Sequence, residues 1–102
     1  MATVQSGACE WDDAKNSFNI AKHGVDFQDA IRIFDGIVYE YDEIDYSQGE
    51  ARQLVTGLWH ERIISVVYTW RGDWRRIISA RKATGNERRR YIEEFTSVTH
   101  GL

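Results

Sequence analysis

A chain of 102 residues is a normal length for one domain and too short for two well-packed cores. Its composition, 42% hydrophobic and 28% charged, is that of a folded globular protein and not of a disordered tail; no stretch approaches the length of a membrane span, Met1–Glu10 lacks the marks of a signal peptide, and the lone Cys9 leaves no internal disulfide and argues against a cysteine-based metal site. The net charge of −3 conceals an asymmetry, because residues 1–50 carry 11 acidic and 3 basic side chains while residues 51–102 carry 5 and 10.

Residues 1–9 hold little pattern and read as a poorly ordered leader, with Cys9 an ordinary thiol inside it. From there a single domain over 10–96 is expected, then a frayed tail over 97–102. Asp12 or Asp13 can cap a first helix, in which Ala14, Phe18 and Ala21 fall on one apolar stripe. Lys22 and His23 occupy its last turn, where positive charge suits the helix dipole, and Gly24 ends it in a left-handed conformation. Asp26 caps a second helix whose buried side is Phe27, Ala30, Ile31 and Phe34, with Val25 and Ala30 as a hydrophobic staple. Asp35-Gly36 stops it.

From Ile37 the period changes to two, and a strand begins. Asp42–Gly49 is polar and acidic and reads as a loop. Strands follow over Arg52–Trp59, Arg62–Trp70 and Trp74–Arg81, joined by turns at His60-Glu61 and Arg71-Gly72-Asp73. Thr84-Gly85-Asn86-Glu87 fits a capping box, opening a helix from Gly85 to about Thr96 with Tyr91, Ile92 and Phe95 on its apolar side. The order is α-α-β-β-β-β-α. Short turns between consecutive strands predict a four-stranded antiparallel sheet with helices on one side, an α+β fold of two N-terminal helices, sheet and C-terminal helix.

Among the ten cations of the second half only Lys82 is not Arg. Arg meets phosphate through a planar fork of donors, so an acidic total does not exclude a polyanionic ligand where the local field is positive; the same arginines could instead pair with the acidic half across the fold. Neither a glycine-rich phosphate loop nor a metal-ligand spacing of His and Cys is present, and no cofactor is implied. What remains is a set of side chains at element ends: Lys22 and His23, Arg52, Arg81 and Lys82, then Glu87 and Arg88 at a helix N-terminus that itself favours anions. RNA cleavage without metal needs such a set. The 2′-hydroxyl is a built-in nucleophile, and the enzyme supplies a base, an acid and cations for the crowded phosphorane oxygens. His23 suits proton transfer, and Glu87 suits it if capping leaves it free. Arg52, Arg81 and Arg88 suit charge stabilisation and substrate placement. Each also has a plainer reading, His23 and Glu87 as helix caps and Arg88–Arg90 as a solvated face. The expectation is that the arginines of the second half meet the end of the first helix in one anion cradle.

The ordered set Glu10-Trp11-Asp12-Asp13-Ala14-Lys15 with Asn19, Lys22-His23-Gly24-Val25-Asp26-Phe27, Gly57, Val66-Val67-Tyr68-Thr69, Arg76-Ile77-Ile78-Ser79-Ala80-Arg81, and Ala83-Thr84 with Glu87-Arg88-Arg89 and Tyr91 resembles the BrnT family of toxins. The resemblance spans about residues 10–95. It implies a RelE-like fold and a ribonuclease that arrests translation in the cytoplasm, neutralised by a BrnA-type antitoxin, with promoter DNA bound only by the toxin–antitoxin complex. By motif position it implies Lys22, His23, Arg52, Arg81, Glu87 and Arg88 as functional, without dividing chemistry from binding; by residue chemistry the expectation is Lys22, His23, Arg81 and Glu87 as catalytic and Arg52, Lys82 and Arg88 as RNA- or phosphate-binding, with no metal. A non-catalytic RNA- or protein-binding module using the same basic surface is the competing expectation.

Overall fold

The computed structural model describes residues 2–41 and 51–100, with side chains to Phe95; the acidic loop expected over 42–49 lies outside the described residues. The strands are β1 (Thr3–Ser6), β2 (Cys9–Asp12), β3 (Val38–Glu40), β4 (Gln53–Trp59), β5 (Arg62–Arg71) and β6 (Trp74–Lys82). The helices are α1 (Asp13–His23), α2 (Phe27–Ala30), which runs on as a 3-10 turn over Ile31–Asp35, and α3 (Gly85–His100). The fold is α+β, as expected, but the sheet has six strands in the order β1-β2-β6-β5-β4-β3.

The four strands anticipated from the alternating pattern form the antiparallel run β3 to β6. Of the two additional strands, β1 lies wholly within the residues expected to be a leader, and β2 begins there at Cys9 and runs on to Asp12. β1 and β2 make an antiparallel hairpin, and β2 lies parallel to β6 through Cys9 and Glu10, so the sheet is mixed. Cys9 and Trp11 are buried there, and Val4 packs against the same core. β1 is short and mostly polar, so its pairing partner and not its composition makes it a strand.

A second difference concerns the helical layers. α1, α2 and the 3-10 turn cover one face of the sheet, where Trp11, Phe27, Ile33, Val55, Ile64, Val66 and Ile77 form the core. The approach is close: a Cβ on Gly57 would sit 2.7 Å from the Cβ of Ile33, so only glycine lets the 3-10 turn lie against β4. The opposite face, bearing Thr56, Ser65 and Arg81, is partly covered by α3, whose Tyr91 hydroxyl donates to the carbonyl of Ile37, the residue before β3. Helices therefore flank both faces, not one.

α1 inverts its expected orientation. Phe18 is 67% exposed, Ala14 and Ala21 are exposed with it, and the helix buries Asn16 and Asn19 instead. The cause is hydrogen bonding. Asn16 donates to Asp26 at 3.0 Å and accepts from the Phe27 amide at 2.9 Å, clamping the turn between α1 and α2. Asn19 donates to the Val25 carbonyl at 2.9 Å and the Ala80 carbonyl at 2.8 Å, and accepts from the Ala80 amide at 3.2 Å. A buried amide with its donors and acceptor matched to backbone groups holds a helix on a sheet as an apolar stripe would. The caps follow expectation: Asp12 accepts from the Ala14 amide, Gly24 adopts φ 70°, and Asp26 caps α2.

Candidate functional site

The capping box at the start of α3 is present in both directions. The Glu87 amide donates to the Thr84 hydroxyl at 3.2 Å, and the Thr84 amide donates to the Glu87 carboxylate at 2.9 Å. That carboxylate is occupied further. Arg81, at the end of β6, places its fork on it with bonds of 2.6 and 3.0 Å, and the Ser65 hydroxyl donates at 2.9 Å. Ser65 in turn shares a 2.8 Å bond with Thr56. Register explains the convergence, because Thr56, Ser65 and Arg81 are cross-strand neighbours on β4, β5 and β6 and point to the face on which α3 begins.

The electrostatics follow from these contacts. Glu87 is only 9% exposed, and burial by itself would raise its carboxyl pKa; the bonds from Arg81, Thr84 and Ser65 overcome this and bring it down to about 2. The same ion pair raises the pKa of Arg81, against the opposing effect of burial. Glu87 thus stays ionised and fully engaged, and Arg81 is held in one orientation with its side chain 28% exposed. A cleft beside the pair is lined by Tyr41, Leu54, Thr84, Asn86, Glu87 and Arg90.

The other anticipated residues distribute around this pair. Arg52 precedes β4 on the same face, four strand residues from Thr56, roughly 13 Å along the sheet. Lys82 points to the opposite side from Arg81, and it lines a cleft at the end of the sheet together with Arg88, Arg62, Glu61, Ile63 and Ala83. Lys22 is exposed and His23 half-buried at the end of α1, in the helical layer on the other face. The tether from Asn19 to Ala80 fixes that half of α1 beside the strand bearing Arg81 and Lys82. Among the described residues, neither Lys22 nor His23 bonds to any other candidate. The single cradle expected from sequence is therefore not formed: Arg81 and Glu87 lie on one face of the sheet, and Lys22 and His23 lie in the helical layer on the other.

Ser65, Thr56 and Arg62 were not anticipated. The first two had a signal: fully buried hydroxyls interrupt two otherwise apolar strands, and such positions need partners. Arg62 had none beyond being the first residue of its strand. Elsewhere, Arg76 pairs with Glu10 at 2.9 Å and Arg75 is stacked among Phe34, Tyr68 and Trp70, with ring centroids 4.4–5.4 Å from its guanidinium. Part of the arginine-rich half is thus structural, as the competing reading of the charge asymmetry anticipated.

No curated relative matches the chain. Residues 11–87 match the family model described as the ribonuclease toxin BrnT of type II toxin–antitoxin systems. That range takes in every strand from β3 to β6, both N-terminal helices and the Arg81–Glu87 pair. The chain belongs to the BrnT family of ribonuclease toxins.

Proposed function

We propose that this chain cleaves RNA without a metal ion, with Arg81 as the group that meets the reacting phosphate. The 2′-oxygen of one ribose attacks the neighbouring phosphorus as its proton passes to a base. The bond from phosphorus to the next nucleotide's 5′-oxygen breaks, that oxygen takes a proton from an acid, and a 2′,3′-cyclic phosphate remains. Arg81 stabilises the charge that builds on the phosphorane oxygens. The proton transfers fall to Lys22 and His23, which lie in the helical layer on the other face and have to reach the phosphate around the end of the sheet. Arg52, Lys82 and Arg88 hold flanking phosphates.

Glu87 takes part through Arg81: with its oxygens occupied by four donors and a pKa of about 2, it is a poor base and a firm anchor. The observation that carries the reading is this anchored arginine on a sheet face that α3 leaves partly open, in a chain of a ribonuclease toxin family. A guanidinium fixed before substrate arrives needs no reorganisation when charge develops. Its physiological setting in this reading is the cytoplasm, where RNA cleavage arrests translation, a BrnA-type antitoxin neutralises it, and the pair together binds promoter DNA.

One feature favours the alternative of a non-catalytic binding module: Arg81 and Glu87 satisfy each other, as a structural ion pair would. Products decide between the two. Purified chain incubated with RNA in EDTA is expected to leave cyclic or 3′-phosphate ends. Intact RNA in the presence of folded protein contradicts the catalytic reading and leaves the binding module.

A further inference from the structure

We propose that Arg62, Lys82 and Arg88 form a second phosphate-binding subsite, which grips the RNA backbone beside the cleaved bond; the identity of the ligand rests on the ribonuclease reading above. The three cations come from the start of β5, the end of β6 and the first turns of α3, and they line one cleft floored by Ile63 and Ala83. A bond from the Ala83 amide to the Ile63 carbonyl at 3.0 Å continues the β5–β6 ladder beyond Lys82 and fixes the floor.

Among the described residues, these cations share exposure without an ion pair with Arg71 and Arg89, and what sets them apart is that all three line one cleft. Arg81, Arg76 and Arg32 are ion-paired, and Arg75 is enclosed by three rings. Arg62, Lys82 and Arg88 are all exposed, and among the described residues none of them is in an ion pair. Glu61 is the one carboxylate in the cleft lining, so the cleft keeps an excess of positive charge. Three like charges lining one cleft with a single carboxylate among them repel one another, and an anion bound between them relieves that repulsion. Arg62 has further support, since its guanidinium lies 6.0 Å from the centroid of the Trp59 ring.

The cleft's position selects the anion. Lys82 follows Arg81 directly, and Arg88 follows Glu87, so each member of the anchored pair has a chain neighbour in the cleft. Because Lys82 leaves β6 on the opposite side from Arg81, a polyanionic strand with one phosphate at Arg81 meets this second positive site by passing over the end of the sheet. A single-stranded RNA offers evenly spaced phosphates for both.

The test uses a 2′-O-methylated oligoribonucleotide, which keeps the phosphates and lacks the nucleophile. Its affinity for the full chain is measured by fluorescence anisotropy across a salt series. Arg62→Gln is expected to weaken binding several-fold. The triple variant R62Q/K82Q/R88Q is expected to flatten the slope of log affinity against log salt by about 0.7, the value for one phosphate of a single strand. All three positions are exposed, so circular dichroism and melting temperature should match the parent. Unchanged affinity and slope in the triple variant overturn the subsite, as does a loss confined to antitoxin binding. Should the parent bind through this cleft yet leave unmodified RNA intact in EDTA, the subsite stands and the ribonuclease reading falls. RNA cleavage combined with unaltered binding by the triple variant is the reverse.

Discussion

Glu87 shows how one side chain can close a helix cap and anchor a neighbour together. It completes the α3 cap, anchors Arg81 and satisfies Ser65, so its ionised form is selectively favoured by folding. Because its pKa is lowered to about 2 from an ordinary value of 4.5, this stabilisation is fully present above pH 4.5 and is lost as the pH falls toward 2. Thermal melts should therefore show the melting temperature dropping across that window. Glu87→Gln should lower stability at neutral pH by about 2 kcal/mol, less than the loss from a fully buried pair because Arg81 keeps some solvent contact. Its melting temperature should also depend less on pH between 5 and 2 than the parent's. A variant with the parent's acid profile would assign the transition to other carboxylates.

At the scale of elements, the device that sets α1 against the sheet is a pair of buried asparagines. Asn19 is 4% exposed and makes three bonds that span the turn to Val25 and the backbone of Ala80. Asn19→Ala leaves backbone groups of β6 and the Val25 carbonyl without these partners, and is expected to cost about 2–3 kcal/mol by chemical denaturation. Asn19→Leu, which restores apolar bulk, should not recover it; recovery would show that packing and not hydrogen bonding seats the helix. This feature was also the least legible in the sequence. Periodicity marks Ala14, Phe18 and Ala21 as a buried stripe, whereas the partners that bury Asn16 and Asn19 lie across the turn and 61 residues away. Elements with local signals were readable: the Asp12 and Asp26 caps, Gly24, the alternating strands β4 to β6, and the reciprocal bonds of Thr84 and Glu87. α2 and its 3-10 extension were readable as helix but not as two kinds of helix. For the candidate site, the start of α3 and the end of β6 were recognisable from residue type. Their direct contact and the roles of Ser65 and Arg62 depend on strand register, which the chain does not display locally.

For the whole molecule, the N-terminal hairpin turns an antiparallel meander into a mixed sheet and closes one edge of the core. β1 places Val4 on the core, the Asp13 amide donates to the Ala2 carbonyl at 3.0 Å, the Arg75 amide to the Ala8 carbonyl at 2.9 Å, and Gln28 to Ser6 at 2.9 Å. Removing residues 1–8 should thus cost on the order of 2 kcal/mol, from several modest hydrogen bonds lost together. Equal stability of the shortened chain in urea would mean that these residues add nothing to the fold. The hairpin lies at the edge remote from β3, while the Arg81–Glu87 pair sits between the central strands and α3. The proposed chemistry therefore sits on the central strands, away from the hairpin edge. The most direct measurement is the single-turnover rate of RNA cleavage in EDTA by the parent, Arg81→Ala and Arg81→Lys, each below its own melting temperature. The account predicts a loss on the order of 10²–10³-fold for Arg81→Ala, the size expected for removing one preorganised donor from a developing oxyanion. It predicts only partial recovery for Arg81→Lys, which keeps the charge and loses the fork. A folded Arg81→Ala variant that cleaves at the parent's rate would contradict it.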